Sequence, residues 1–260
     1  MKIKVMVAAH KEFPMPENKN LYLPVLVGAT KNYKEGIDYQ RDDVGENISL
    51  KNPNFNELTA VYWAWKNLDA DAIGLVHYRR LFSKGGKREL DNILNKEQIE
   101  QLLEEAPIVL PKKRKYYIES NYSHYVHAHP EEPLDVTRDV IAEKYPRYLN
   151  AFDQVMHKTS AHMFNMFIMK KKEFNQYSEW LFDVLFKVED RIDISGYSVQ
   201  DARVFGFLSE RLMDVWIEAN NKKYVEEKWI QLGERKIMLK ALNLIKRKFI
   251  KDSKKKITHF

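Results

Sequence analysis

Short unbroken apolar runs alternate along this chain with longer segments whose apolar residues recur every three or four positions. Residues 3–9 form such a run and end in His10-Lys11, which predicts a buried strand followed by a loop. Residues 72–76 repeat the pattern and end in His77-Tyr78-Arg79-Arg80. Weaker strand signals lie at 21–27, interrupted by Pro24, at 108–110, closed by Pro111, and at 163–169. A helix is expected from about Asn56, because Leu58, Val61, Tyr62 and Trp65 fall at i, i+3, i+4 and i+7. Others are expected over 96–105, 136–145, 148–156, 172–188 and 198–218. Residues 30–56, full of turn formers, and 112–135, basic and then rich in His and aromatic rings, read as irregular.

Strands alternating with helices predict an α/β sandwich with a mostly parallel central sheet. Ligands of such sheets bind beyond the carboxyl ends of the strands. His10, Lys11, His77, Tyr78, Arg79 and Arg80 are therefore the first candidates for a binding site.

Composition narrows this picture. A chain of 260 residues suffices for one such domain, and 44% hydrophobic with 31% charged residues is a globular balance. The absence of cysteine excludes disulfide and thiolate chemistry. No apolar run approaches the roughly 20 residues needed to span a bilayer, and residues 1–5 lead into a strand, so a cytoplasmic protein is expected. The formal charge is +6, yet ten Lys and Arg against one Asp lie in residues 235–260, so the body before them is slightly acidic. A nucleic-acid-binding domain would carry its positive charge on the folded face, so that partner is excluded. The chain divides into a domain over 1–233 and a basic segment over 234–260. In that segment Ile237, Met238, Ala241, Leu242, Ile245 and Phe249 follow helical spacing, flanked by Lys236, Lys240, Lys246, Arg247 and Lys248. Such an amphipathic helix fits an anionic membrane surface, and it equally fits docking on its own domain.

Two arginines at the carboxyl end of a buried strand suit phosphate, which guanidinium groups bind bidentately at any relevant pH. The blocks Asp43-Val44-Gly45-Glu46-Asn47-Ile48-Ser49, Glu57-Leu58-Thr59-Ala60-Val61-Tyr62-Trp63-Ala64-Trp65-Lys66-Asn67 and Gly74 to Arg80 resemble those of one bacterial family. Asn165 to Met169 and Arg203 to Arg211 are similar to its later blocks. This is the capsule and exopolysaccharide family long labelled a domain of unknown function, whose members include β-galactofuranosyltransferases. The resemblance implies a GT-A-like fold and transfer of a sugar, galactofuranose among the options, from a UDP-sugar to a lipid-linked glycan. A non-catalytic accessory protein that binds nucleotide sugars or glycans is the alternative.

GT-A enzymes usually hold a divalent metal with Asp-x-Asp after a central strand, where this chain has His77-Tyr78-Arg79-Arg80. Asp69-Ala70-Asp71 precedes its strand instead, at the opposite edge of the sheet. A metal-independent enzyme is expected, with Mn or Mg as the alternative. Asn47, Ser49 and Asn165 join the donor-binding candidates, although ordinary turn chemistry also explains the first two. Glu57 suits a helix cap better than a sugar contact. Three histidines, His124, His127 and His129, share one segment with Tyr122 and Tyr125, and His127 and Trp63 are the acceptor-site candidates. An inverting transferase needs a carboxylate base. Asp201 and Glu210 lead and Asp135 follows, while Ser198-x-x-Asp201 also has the form of a capping box.

Overall fold

The computed structural model describes residues 1–233, so the basic segment expected at 234–260 lies outside the described residues. The strands are β1 Ile3–Ala9, β2 Tyr22–Leu26, β3 Gln40–Arg41, β4 Ala72–His77, β5 Arg80–Phe82, β6 Ile108–Pro111, β7 Arg114–Lys115, β8 Ser160–Ala161, β9 Phe167–Lys170, β10 Val225–Glu227 and β11 Trp229–Gln231. Across the main sheet the order is β10-β6-β9-β4-β1-β2-β3. Every strand on this path runs the same way except β9, which lies antiparallel between β4 and β6. β5 turns back antiparallel to β4, and β11 pairs with β5. β7 and β8 form a separate two-stranded sheet. The expected α/β sandwich with its mostly parallel sheet is present.

The helices are α1 Ala29–Asn32, α2 Asn52–Phe55, α3 Leu58–Asn67, α4 Lys96–Glu105, α5 Asn121–Val126, α6 Glu132–Lys144, α7 Pro146–His157, α8 Lys171–Glu189 and α9 Val204–Ala219. Alternate residues of the central strands face two cores. Met6, Ala8, Ile73 and Leu75 pack beneath α3 and α6 to α9, and Val5, Val7, Ala72 and Val76 pack on the α4 side. Each wholly buried Leu or Phe in these layers contributes about 1.5–3 kcal/mol through lost apolar surface. Gly74 lets β9 approach β4, since a β-carbon there would meet Ile168 Cγ1 at 2.9 Å and Phe167 O at 3.0 Å.

Several sequence expectations need correction. Half of residues 112–135 lie in β7, α5 and the start of α6. α5 is set by a capping box, in which the Ser120 and Ser123 side chains bond each other's backbone N–H. The last long helix begins at Val204, not at 198. Ser198 and Asp201 close a turn on themselves instead, with Asp201 N–H donating to Ser198 Oγ at 3.1 Å and that hydroxyl donating to Asp201 Oδ2 at 2.9 Å. β9 begins only at Phe167, because Phe164 and Asn165 take left-handed backbone angles (φ 75° and 53°) that no strand accommodates. β10 and β11, each three residues long, fall below the length at which apolar alternation is visible.

Candidate active site

The β4–β5 hairpin delivers the arginine pair. His77 pairs with Arg80, leaving Tyr78 and Arg79 as the two turn residues. The Leu232 amide donates to Arg79 O at 2.8 Å, so β11 ties the turn down from its other side. Tyr78 stacks on Phe13 from the loop after β1, with ring centroids 3.5 Å apart. His10 meets both rings edge-on. The Arg79 guanidinium stands 5.1 Å from the Tyr78 ring centre, and Lys11 Nζ stands 5.4 Å from that of Phe13. Burial lowers the pKa of His10, and the charges of Lys11, Arg79 and Arg203 lower it further. The carboxyl ends of β1 and β4 thus carry a concentrated positive field around a neutral imidazole.

Arg80 turns inward. Its guanidinium lies 4.4 Å from the Phe164 ring centre. Its Nε is buried and has no hydrogen-bond partner among the described residues. Burial lowers its pKa, opposed by the charges of Glu210 and Glu57. A guanidinium nitrogen kept from water without a partner is costly, on the order of 1–3 kcal/mol, unless a ligand supplies the acceptor. His77 beside it donates through Nε2 to the Phe164 carbonyl at 2.6 Å, which fixes the proton on Nε2 because a carbonyl can only accept. Burial lowers its pKa, with help from Arg80 and Arg203 and against Glu57.

The acidic side of the site comes from three distant stretches of chain. Glu57 is the N-cap residue of α3 but makes no side-chain cap. Its Oε1 instead accepts from Asn165 Nδ2 at 2.7 Å. Asn165 is buried and fully engaged, donating also to Gly206 O at 3.1 Å and accepting from Ser209 Oγ at 2.7 Å. Glu210 Oε1 accepts the Phe164 amide at 3.0 Å, and its Oε2 pairs with Arg211 Nη1 at 3.0 Å. Burial raises the pKa of Glu210, and the charge of Glu57 raises it further, against Arg211. Arg203, just before α9, donates through Nε to Asn56 Oδ1 at 2.8 Å. Gly206 leaves room for this, because a β-carbon there would meet Asn56 Nδ2 at 2.4 Å.

The structure therefore gathers His77, Arg80, Asn165 and Glu210 with Glu57 and Arg203, and sets His10, Lys11, Tyr78 and Arg79 at the rim. Other candidates belong elsewhere. Trp63 is not an acceptor contact: it is buried in α3, and its Nε1 donates to Val44 O at 2.9 Å. Asn67 Nδ2 donates to Glu46 O at 2.8 Å, so the Trp-Ala-Trp-Lys-Asn block holds the 43–47 loop in place. Asn47 donates to Asp43 O and Gly45 O and accepts from the Ser49 amide, which is turn chemistry. Ser49 is buried and donates to Asp42 Oδ1 at 2.6 Å, so its hydroxyl is not turned to a donor. His127, just after α5, pairs with Glu119, just before it, at 2.8 Å. Of the three neighbouring histidines, His129 approaches the cluster, stacked at 3.9 Å on Phe207 of α9, whose other neighbour is Arg203. Asp201 lies 4.0 Å from His129 Nδ1, and the carboxylates acting on Arg80 are Glu210 and Glu57. Asp135 sits on α6, where burial and Glu131 raise its pKa. Asp71 bonds the Lys2 amide at the amino end of β4, opposite the arginines.

A family model described as a domain of unknown function, DUF4422, matches residues 4–222. The chain belongs to this family. The DUF4422 match runs from β1 to the end of α9 and takes in every residue of the cluster. No curated protein matches the chain. Among solved structures the chain is similar to the apo structure of WbbM, a bifunctional glycosyltransferase, with 31% sequence identity and a TM-score of 0.81. The likeness covers 90% of this chain and 46% of the WbbM chain, so the protein spans less than half the length of that relative.

Proposed function

We propose that this DUF4422 protein is a glycosyltransferase that takes a sugar from a nucleoside-diphosphate sugar and gives it to a glycan. The observation that carries this reading is Arg80, a charged guanidinium at the carboxyl end of a central strand whose buried Nε has no partner among the described residues. The likeness to WbbM, itself a glycosyltransferase, supports the reaction class. When the bond between sugar and diphosphate breaks, the leaving group gains charge, and fixed cations near it lower the barrier. Arg79, Arg80, Arg203 and Lys11 are the cations for that task. Phe13 and Tyr78 offer the aromatic surface a uracil ring needs.

The finer reading rests on the sequence resemblance: a UDP-sugar donor, galactofuranose as its sugar, inversion at the anomeric carbon, and a lipid-linked capsule or exopolysaccharide acceptor. The arginines stand where a metal-binding pair would be expected, so transfer should persist in excess chelator. Labelled sugar followed from a panel of UDP-sugars into lipid-linked acceptor tests both points. Complete loss in chelator, restored by Mn or Mg, would show that a metal carries the diphosphate.

The basic segment extends this proposal to the inner face of a cytoplasmic membrane. It follows Gly233 in the sequence and lies outside the described residues. Each well-placed cation is worth roughly 1 kcal/mol near anionic headgroups, and screening at about 1 M salt cuts the Debye length to about 3 Å. Cosedimentation with acidic liposomes should therefore fall with salt and vanish on truncation after Gly233. A truncated protein that melts lower, with an intact one that ignores liposomes at any salt, would mean the segment packs on its own domain instead.

A further inference from the structure

We propose that Glu57 is the carboxylate that deprotonates the acceptor hydroxyl, held in place by Asn165; this rests on the glycosyl-transfer reading above. Four observations converge on it. Glu57 sits at a helix start, where a carboxylate ordinarily caps the backbone, yet its side chain makes no cap. One of its oxygens accepts from Asn165, and no described residue donates a hydrogen bond to the other. Asn165 is itself fixed in a left-handed backbone conformation, directly after Phe164 in another. Two consecutive non-glycine residues of this kind persist only where the surroundings over-determine them, which is typical of sites that hold a reacting group. Finally, the charge of Glu57 reaches His77, Arg80 and Glu210, so it lies within the field of the donor-binding cations.

The other carboxylate of the cluster is unsuited to the task. Both oxygens of Glu210 are taken, one by the Phe164 amide and one by Arg211. Burial raises the pKa of Glu210, against the charge of Arg211, so its free carboxylate is further disfavoured as a base. Asp201 has its Oδ2 turned to Ser198, in the turn that precedes α9.

In the step, the free oxygen of Glu57 takes the proton from the acceptor hydroxyl as the hydroxyl's own oxygen bonds to the anomeric carbon. The bond between the anomeric carbon and the phosphate oxygen breaks, and its electron pair leaves with the nucleoside diphosphate toward Arg80. The proton on Glu57 passes to solvent before the next turnover. Glu57 is faced by His77 from β4, Arg80 from β5, Asn165 before β9 and Glu210 from α9, with Arg203 acting on the same His77.

The test compares Glu57→Gln and Glu57→Asp with the wild type, measuring UDP affinity by calorimetry, transfer rate against pH, and melting temperature. Gln keeps an oxygen that accepts from Asn165, so the fold should persist. The expected result is a loss of about 100- to 10,000-fold in kcat for Glu57→Gln, with UDP affinity changed by less than about threefold. Glu57→Asp, which keeps a charge on a shorter arm, should retain a measurable rate and the acidic limb of the pH profile. Three results would overturn the assignment: Glu57→Gln keeping more than about a tenth of kcat; UDP affinity and kcat falling together in Glu57→Gln; or Glu57→Asp being as slow as Glu57→Gln. A wild type that binds UDP but transfers from no donor would sink the glycosyl-transfer reading itself, and the role of Glu57 with it. Normal transfer by Glu57→Gln would leave that reading intact.

Discussion

Replacing Arg80 by Ala should weaken UDP binding by about 10- to 100-fold, as expected for one charge-assisted contact worth on the order of 1.5–3 kcal/mol. The reason is geometric as well as electrostatic. The Arg80 side chain lies on the Phe164 ring, which sets the plane of its fork, and its buried Nε is a donor without a partner among the described residues. A planar fork addresses two phosphate oxygens at once, so Arg80→Lys should recover only part of the loss. Removing Arg80 also takes away a cation that favours the charged form of Glu210, whose pKa burial already raises. The acidic limb of the rate profile should therefore change in Arg80→Ala, whereas Arg79→Ala, which removes an exposed guanidinium, should weaken UDP chiefly in a salt-sensitive way. Calorimetry at two salt concentrations separates the two variants. Wild-type UDP affinity in Arg80→Ala would mean the diphosphate binds elsewhere.

The largest effect on stability is expected at Asp42, which has no exposed surface. Its carboxylate accepts from the Gly28 and Ala29 amides at 2.7 and 2.9 Å, from Ser49 Oγ at 2.6 Å and from Thr59 Oγ1 at 2.5 Å. It thereby joins the end of β2, the 43–49 loop and the first turn of α3 in one knot. Asp42→Ala leaves these donors buried, at about 1–3 kcal/mol for each that finds no other acceptor. A total of roughly 4 kcal/mol is expected, at the upper end for single substitutions, and with it a fall in Tm of roughly 10 °C. Asp42→Asn should rescue little, because its amide group would point N–H against N–H. Thr59 is two residues from Glu57, so the same change should also loosen the candidate base. Thermal melts of both variants decide this, and a shift of only about a degree would mean the knot contributes little.

The sequence made the frame legible and left the centre of the site dark. β1, β4 and α4 follow from unbroken or periodic apolar residues, and the arginines were found because they end such a run. Ser198-x-x-Asp201 misled because the same side-chain bonds that cap a helix also close a free turn, and only the backbone beyond decides which. Trp63, an acceptor-site candidate off the Leu58-Val61-Trp65 stripe, is buried because its helix packs on more than one side, a fact about neighbouring layers rather than about its own period. Glu57, Asn165 and Glu210 meet from positions roughly 50 to 150 residues apart, and nothing local marks their convergence. A faint signal did exist. Glu57 immediately precedes the apolar stripe of α3, and an acidic residue there is either a cap or a group reserved for something else.

We propose that this protein transfers a sugar from a nucleotide donor at the carboxyl end of β4. The most direct test of this follows labelled sugar from UDP-sugars into lipid-linked glycan, with wild type and Arg80→Ala in parallel. The expected result is incorporation from at least one donor by the wild type, accompanied by an equal release of UDP, and at least about a tenfold loss in Arg80→Ala at donor concentrations below saturation. Tight UDP binding with no incorporation from any donor, or incorporation that is unchanged in Arg80→Ala, would contradict it.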